Sequence, residues 1–272
     1  MNNNVLIYIN NHLNKKINDK KLISKNNKLF IENKRDSVNL VLFNEEKLTI
    51  NIQKGILTKI SRNNISMTSF QRSIIVGLIL SDGWIQYRKT WNPRIGFKQS
   101  IKNFNYFWYV FIQLSSLCSG YPWLVSNIKR GKLFYALEFN TRQLKCINEI
   151  YFLFYSESTF RHPHPWVGMA ERSSIKTIKP ELYDYLDYIA IAHWIMGDGS
   201  KKNKGITLCT DSFSYKEVVI LMNILKIKYN INSTIHNEKY KPRIYINNKE
   251  LLKILPFIKP YFSKNFLYKL SL

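Results

Sequence analysis

The chain has 272 residues, 45% of them hydrophobic and 14% aromatic, enough for one large domain or two moderate ones around a real core. With 41 Lys and Arg against 18 Asp and Glu, its formal charge is +23. That surplus repels itself in the folded state and points to a polyanionic partner, foremost nucleic acid, and the lack of an amphipathic basic helix or lipid-anchor signal excludes a membrane.

Residues 1–65 form a polar, low-complexity extension rich in Asn and Lys, either solvated or touching DNA as an arm. Its first ten residues lack the features of a secretion signal or an import peptide. Short patches at 39–43 and 47–52 are able to pair as a hairpin. From residue 66 the pattern sharpens. Ser69 is placed to cap a helix running from Phe70 until Gly83 stops it. Residues 84–89 and 94–100 read as two strands, 105–118 as an aromatic helix, 123–129 and 133–139 as two more strands, and 141–155 as a helix opened by Thr141. Residues 160–185, with Pro163, Pro165 and Pro180, read as a linker, and in the run His162-Pro163-His164-Pro165 the two prolines deny the histidines a regular scaffold for metal. The order then repeats in compressed form. A helix covers 187–196 and a strand 205–210; Ser212 or Ser214 caps a helix to Tyr229; 233–236 and 243–246 form a hairpin, and 248–255 a last helix. Cys118, Cys146 and Cys209 are odd in number and widely spaced, which excludes a disulfide framework or a structural zinc site and fits a reducing compartment.

The most informative feature is a duplicated motif. An apolar run, one small residue and Asp-Gly recur as residues 75–83, ending Ser81, Asp82, Gly83, and 191–199, ending Gly197, Asp198, Gly199. Residues three and four apart share a helix face, so Val76, Ile79 and Leu80 form a stripe, and Gly77 admits a neighbouring backbone. If the two helices pack together, Asp82 and Asp198 become neighbours at helix C-termini, the wrong end of the macrodipole for an anion. A bound Mg2+ relieves both the dipole clash and the mutual repulsion, because hard cations take carboxylate and phosphate oxygens.

The paired motifs resemble those of the LAGLIDADG homing endonucleases, in the single-chain, two-motif branch that also includes intron-encoded maturases. The resemblance covers roughly residues 66–272. It implies a mixed α/β fold, αββαββα twice, as repeats 66–159 and 186–272, forming a pseudo-two-fold monomer with a saddle-shaped β-surface over double-stranded DNA. It also implies Mg2+-dependent hydrolysis at two or more divalent ions, with Mn2+ able to substitute. Asp82 and Asp198 would hold the metal, with Ser81 and Gly197 beside them. Phe97, Lys98 and Gln99 open a segment similar to the one that sends a polar or basic side chain to the site, which makes Lys98 a peripheral catalytic candidate. Lys176, before the second motif, and Lys269, near the C-terminus, resemble the family's active-site lysines. Two departures stand out. Leu80 and Met196 occupy the position of the family's first acidic residue, leaving one carboxylate per half, and His193 and Trp194 replace small residues in the second helix. His193 reads as a packing residue rather than a general base.

On a saddle of this kind, turn lysines set register on phosphates while strand side chains read bases. The candidates are Tyr87, Arg88, Lys89, Arg94 and Lys98, then Lys129, Arg130 and Lys132 at the second turn. In the second half they are Lys201, Lys202, Lys204, Lys239, Lys241 and Arg243. Unlike halves imply a long, pseudo-asymmetric target. The leading function is therefore a site-specific DNA endonuclease of intron homing. The alternative is a maturase that helps a group I intron RNA splice, with or without cleavage. A non-catalytic binding protein would more naturally have lost one aspartate, a basic ribosomal-type protein leaves the paired motifs unexplained, and no motif of an HNH or GIY-YIG nuclease is present. The bias toward Asn, Lys, Ile and Tyr is that of an AT-rich genome and points to an organelle, the mitochondrion foremost.

Overall fold

The computed structural model describes residues 41–43, 46–48, 52, 55–88, 90–129, 131–156, 175–203 and 205–270. Val41–Phe43 (β1) and Glu46–Leu48 (β2) pair antiparallel, so a hairpin does form within the extension. A short helix not anticipated from sequence follows at Lys59–Asn63 (α1), its N-terminus capped by the Thr58 hydroxyl. Residues 1–40 and the His162–His164 segment lie outside the described residues.

The first motif helix spans Ser69–Leu80 (α2). Its cap is Thr68, one residue before the expected Ser69, because Thr68 and Gln71 form a reciprocal capping box with both bonds at 3.1 Å. Gln71 also donates to Gln113 O at 2.8 Å, which ties the cap to the rest of the repeat. Thr68→Ala is expected to lower stability by about 1 kcal/mol, read as a shifted urea midpoint at unchanged slope.

Gly83–Gln86 (β3) and Arg94–Ser100 (β4) follow, then the helix Phe104–Leu114 (α3), Trp123–Lys129 (β5) and Lys132–Asn140 (β6). They make an antiparallel sheet in the order β3-β4-β6-β5. β3 stops three residues before its expected end, where Tyr87 leaves to stack on Tyr151, ring centroids 4.4 Å apart. The next helix begins at Asn148 (α4, Asn148–Phe154) and not at Thr141. Thr141 instead finishes the sheet: its hydroxyl accepts from Ile95 N at 3.0 Å, and its N–H donates to Ile95 O at 2.9 Å. Tyr155–Ser156 (β7) pairs antiparallel with Ile175–Lys176 (β8), so part of the expected linker is a structured tether.

After a single helical turn at Leu182–Tyr185 (α5), the second motif helix spans Tyr188–Asp198 (α6). Asp187 caps it through Ala190 N at 2.8 Å and accepts from Ser73 Oγ of α2 at 2.5 Å, clamping the two motif helices at their N-terminal ends. Gly199–Lys202 (β9), Gly205–Leu208 (β10), Tyr215–Tyr229 (α7), Ser233–Glu238 (β11), Lys241–Ile246 (β12) and Asn248–Ile258 (α8) complete a second αββαββα unit. Its sheet runs β9-β10-β12-β11, the counterpart of the first. β9 is not expected from the sequence, since Gly-Ser-Lys-Lys shows no apolar alternation; backbone pairing with β10 alone creates it. Ser214, the second of the two expected candidates, caps α7 in a capping box with Glu217.

Each sheet presents one face to helices. Ile95, Phe97, Leu137 and Phe139 in the first, and Ile206, Leu208, Ile244 and Ile246 in the second, are buried there. Side chains alternate along a strand, so the residues between them form the opposite, open faces. Among the described residues no helix is long and apolar enough to cross a membrane.

Candidate active site and nucleic-acid face

The motif helices α2 and α6 pack with little between them. A Cβ on Gly77 would lie 2.4 Å from Ala190 O and 2.6 Å from His193 Cβ; one on Gly197 would lie 2.3 Å from Ser81 Oγ and 3.3 Å from Asp82 Oδ2. The motif positions therefore complement each other across the pair, Gly77 against His193 and Ser81 against Gly197. The wide His193 that breaks the family pattern is accommodated by the absent side chain of Gly77. His193 is fully buried, its Nδ1 lies 3.0 Å from Tyr106 Oη, and burial pushes its pKa down to about 3. It is a neutral packing residue, as expected.

This contact brings Asp82 and Asp198 together. The pKa of Asp198 is pushed up to about 6, first by loss of water and then by the Asp82 charge, with Lys176 and Lys269 opposing. Asp82 is also raised by burial; a hydrogen bond from Gln99 and the charges of Lys269 and Lys176 offset part of that. The lysines are held down to about 8 by the same desolvation, which the carboxylates partly oppose. Each lysine feels both carboxylates, Lys269 with Asp82 first and Lys176 with Asp198 first, so the four charges act as one interacting group. Lys269 sits on the 3-10 turn Lys264–Leu270 and donates to Met196 O at 2.6 Å, Gly197 O at 3.2 Å and Ile195 O at 3.3 Å. It thus caps the carbonyl end of α6, where a cation is favoured. Lys176 is held by the β7–β8 tether, its Nζ 5.4 Å from the Phe213 ring centroid.

The other sequence candidates fall differently. Lys98 does not enter the site: it lies on the open face of β4, its Nζ 4.0 Å from Glu138 Oε2, because Phe97 and Gln99 on either side of it point inward. Gln99 is absent from the sequence candidates, yet its Nε2 donates to Asp82 Oδ2 at 2.5 Å and its Oε1 accepts from Asn103 at 2.9 Å. Strand periodicity from Ile95 and Phe97 is the signal that could have found it. Among the described residues the second half has no such arm. Thr210 stands where Gln99 stands, two residues beyond the strand partner of its motif glycine, and its hydroxyl donates to Pro242 O at 2.6 Å. The Ser81 hydroxyl donates back to Gly77 O and Leu78 O, and the Gly197 carbonyl accepts from Lys269, so each already has a partner within the chain.

A divalent cation suits the two carboxylates. Both are hard oxygen donors kept above their ordinary pKa, and an added positive charge would remove the cause of mutual repulsion. Among the described residues no group of three or more His, Cys, Asp or Glu is placed to hold a metal ion, so the two aspartates are the acidic donors of the site.

Register sorts the basic residues. Arg94 and Lys98 on β4, Lys132 on β6, Lys202 on β9, and Lys241 and Arg243 on β12 share the open faces, while Lys201 pairs with inward Ile206 and lies opposite. Arg243 is occupied by Asp211, with two bonds of 2.7 Å, and by Glu238. Arg88 lies over Trp91 at 5.1 Å, and Tyr87 is stacked on the helical side. Lys239 forms the β11–β12 turn with Tyr240, both at positive φ. Lys89, Arg130, Lys204 and the side chain of Lys129 lie outside the described residues.

Two αββαββα units joined through their motif helices, each sending one aspartate to a shared site, define the architecture of a two-repeat homing endonuclease. The chain belongs to the LAGLIDADG DNA endonuclease family, which it matches over residues 72–254. The cytochrome b mRNA maturase bI2 of Saccharomyces cerevisiae is 34% identical over 239 residues, 84% of this chain and 53% of the relative. The probable intron-encoded endonuclease 1 of Wickerhamomyces canadensis is 41% identical over 103 residues, 35% of this chain and 45% of the relative. The chain thus spans about half the length of these curated relatives. The solved homing endonuclease I-WcaI, bound to its DNA recognition sequence, matches with a TM-score of 0.67 at 26% identity, over 79% of this chain and 94% of that one.

Proposed function

We propose that this chain is a monomeric, site-specific DNA endonuclease that makes Mg2+-dependent double-strand breaks at a long, pseudo-asymmetric target. Repeats 66–159 and 186–272, joined by 160–185, would each serve one half of it. The observation that carries this reading is the meeting of Asp82 and Asp198 from separate repeats, with the charges of Lys176 and Lys269 acting on both. Asp82 and Asp198 would hold the divalent ions, and such ions supply Lewis-acid stabilisation of charge on the phosphate oxygens. Gln99, anchored by Asn103, holds the Asp82 carboxylate in one orientation. Lys176 and Lys269, with pKa values near 8, exchange protons close to neutral pH and offset negative charge that builds on the phosphate. An organelle-encoded, mitochondrial protein agrees with the composition and with kinship to a cytochrome b mRNA maturase.

The test is incubation with Mg2+ and a duplex library randomised around intron-insertion junctions. Cleavage at one long site supports the endonuclease. Its rate at fixed Mg2+ should fall as pH drops through about 6, where Asp198 takes up a proton. Added Mg2+ should restore the rate, since metal and proton compete for the same oxygens. A pH loss that Mg2+ cannot offset would count against Asp198 as a ligand. The second reading, an RNA maturase, draws on the bI2 relative, which aligns with 84% of this chain. Tight binding of structured group I intron RNA with no cleavage of any duplex would favour it.

A further inference from the structure

The open faces of the two sheets carry unlike chemistry. In the second repeat, Thr234 and Tyr245 are register partners, as are His236 and Arg243; His236 stacks on Tyr245 at 4.7 Å, and Arg243 is held by Asp211 and Glu238. That face is polar. In the first repeat, Leu137 and Phe139 point into the core, each 1% exposed, so Phe134, Ala136 and Glu138 point the other way. Register sets Val125 beside Ala136 and Asn127 beside Phe134. The Lys98–Glu138 ion pair lies on this same open face. Val125 and Ala136 are half-buried, while Phe134 is 51% exposed, flanked on this face by Asn127, Lys132 and Glu138; on the other face of the same ribbon Ile128 and Leu133 are also exposed. A large exposed apolar side chain on such a face is the informative kind of exception. Lys132, two residues along the same strand face, is exposed and able to meet phosphate.

We infer that Val125, Phe134 and Ala136 are specificity determinants that read thymine C5-methyl groups in the major groove, at the outer part of the half-site served by the first repeat. The inference rests on the DNA-binding reading above. The thymine methyl is the one apolar group on a base edge in that groove, and apolar side chains are its complement. A two-stranded ribbon such as β5–β6 enters the groove with alternate side chains facing the bases. Asn127, beside Phe134, has the amide that pairs with an adenine edge, so the ribbon fits T·A pairs at this position. Among the described residues the open face of the second sheet has no counterpart of the Phe134 ring, only the smaller methyls of Thr207 and Thr234, so thymine methyls would matter mainly in one half of the target.

The full chain is used to select bound duplexes from a randomised library in Ca2+, and the winning sequence is resynthesised with deoxyuridine for thymine, a few positions at a time. Loss of methyls in the outer first-repeat half-site should raise Kd about 5-fold, and the same replacement in the other half should change it far less. Phe134→Ala should weaken binding to the thymine duplex and abolish discrimination against deoxyuridine, while Phe134→Leu keeps most of it. Unchanged melting temperatures confirm that both variants fold. Equal weakening of the thymine and deoxyuridine duplexes by Phe134→Ala, or no deoxyuridine effect in that half-site, overturns the inference and leaves specific DNA binding standing. Failure to enrich any sequence sinks the DNA reading itself, and the inference with it.

Discussion

Asp82→Asn and Asp198→Asn should each lower double-strand cleavage by about 10³-fold or more while leaving the fold intact. An amide keeps the shape and one oxygen of the carboxylate but not its charge, so the divalent ion loses a ligand at the point where the two repeats meet. In Asp82→Asn the amide oxygen would still accept from Gln99 Nε2, so the active-site wall need not move. Stability separates loss of chemistry from loss of structure. The Asp198 carboxyl is raised from 3.8 to about 6, so above pH 6 the native state carries a half-buried charge that the unfolded chain keeps in water. That penalty is present at neutral pH and fades as pH falls from about 6 toward 3.8, where the native form binds the proton first. Without metal, Asp198→Asn should therefore melt higher than the parent at pH 8 and no higher at pH 4. Thermal melts in EDTA at both values, beside cleavage assays in Mg2+, test this. A variant that melts lower at pH 8 contradicts the desolvated-carboxylate description, and one that still cleaves contradicts the ligand role.

Gly77→Ala should destabilise the protein by about 3 kcal/mol. The new Cβ would stand 2.4 Å from Ala190 O and 2.6 Å from His193 Cβ, atoms that move only if α6 moves. The helices are already joined at their N-terminal ends by the Ser73–Asp187 hydrogen bond, so the pair would have to splay at the aspartate end. Cleavage should then fall as well, beyond what the unfolded fraction explains. Gly120→Ala is the control: nothing lies within 4 Å of its added Cβ, and a surface change of that kind stays within about 0.5 kcal/mol. Urea titrations of the two variants make the comparison. Equal midpoints would mean that the motif helices are not in the close contact described here.

The duplicated Asp-Gly and most of the order of helices and strands are legible in the residues alone. Each is a local signal: apolar spacing of 3.6 in the helices, alternation in β4 to β6, and caps such as Ser214. Gln99 is also within reach of the sequence, since Ile95 and Phe97 set the inward face of β4, but the charge of Lys98 draws attention one position too early. Other features have no local signal at all. β9 is a strand only because β10 pairs with it, and Thr141 turns away from a helix because its N–H and its hydroxyl are both engaged with Ile95. No residue pattern announces that Lys269 caps the carbonyls of α6, or that Lys269 and Lys176 each answer both carboxylates. Gly77 opposite His193 is a departure from the family pattern in sequence and a complementary fit in space. The physical reason is common to them. Backbone periodicity and caps act over a few residues and can be read in one dimension. Desolvation, ion pairing and close helix contact depend on groups distant in the chain, and these acquire definite values only when packing brings them together.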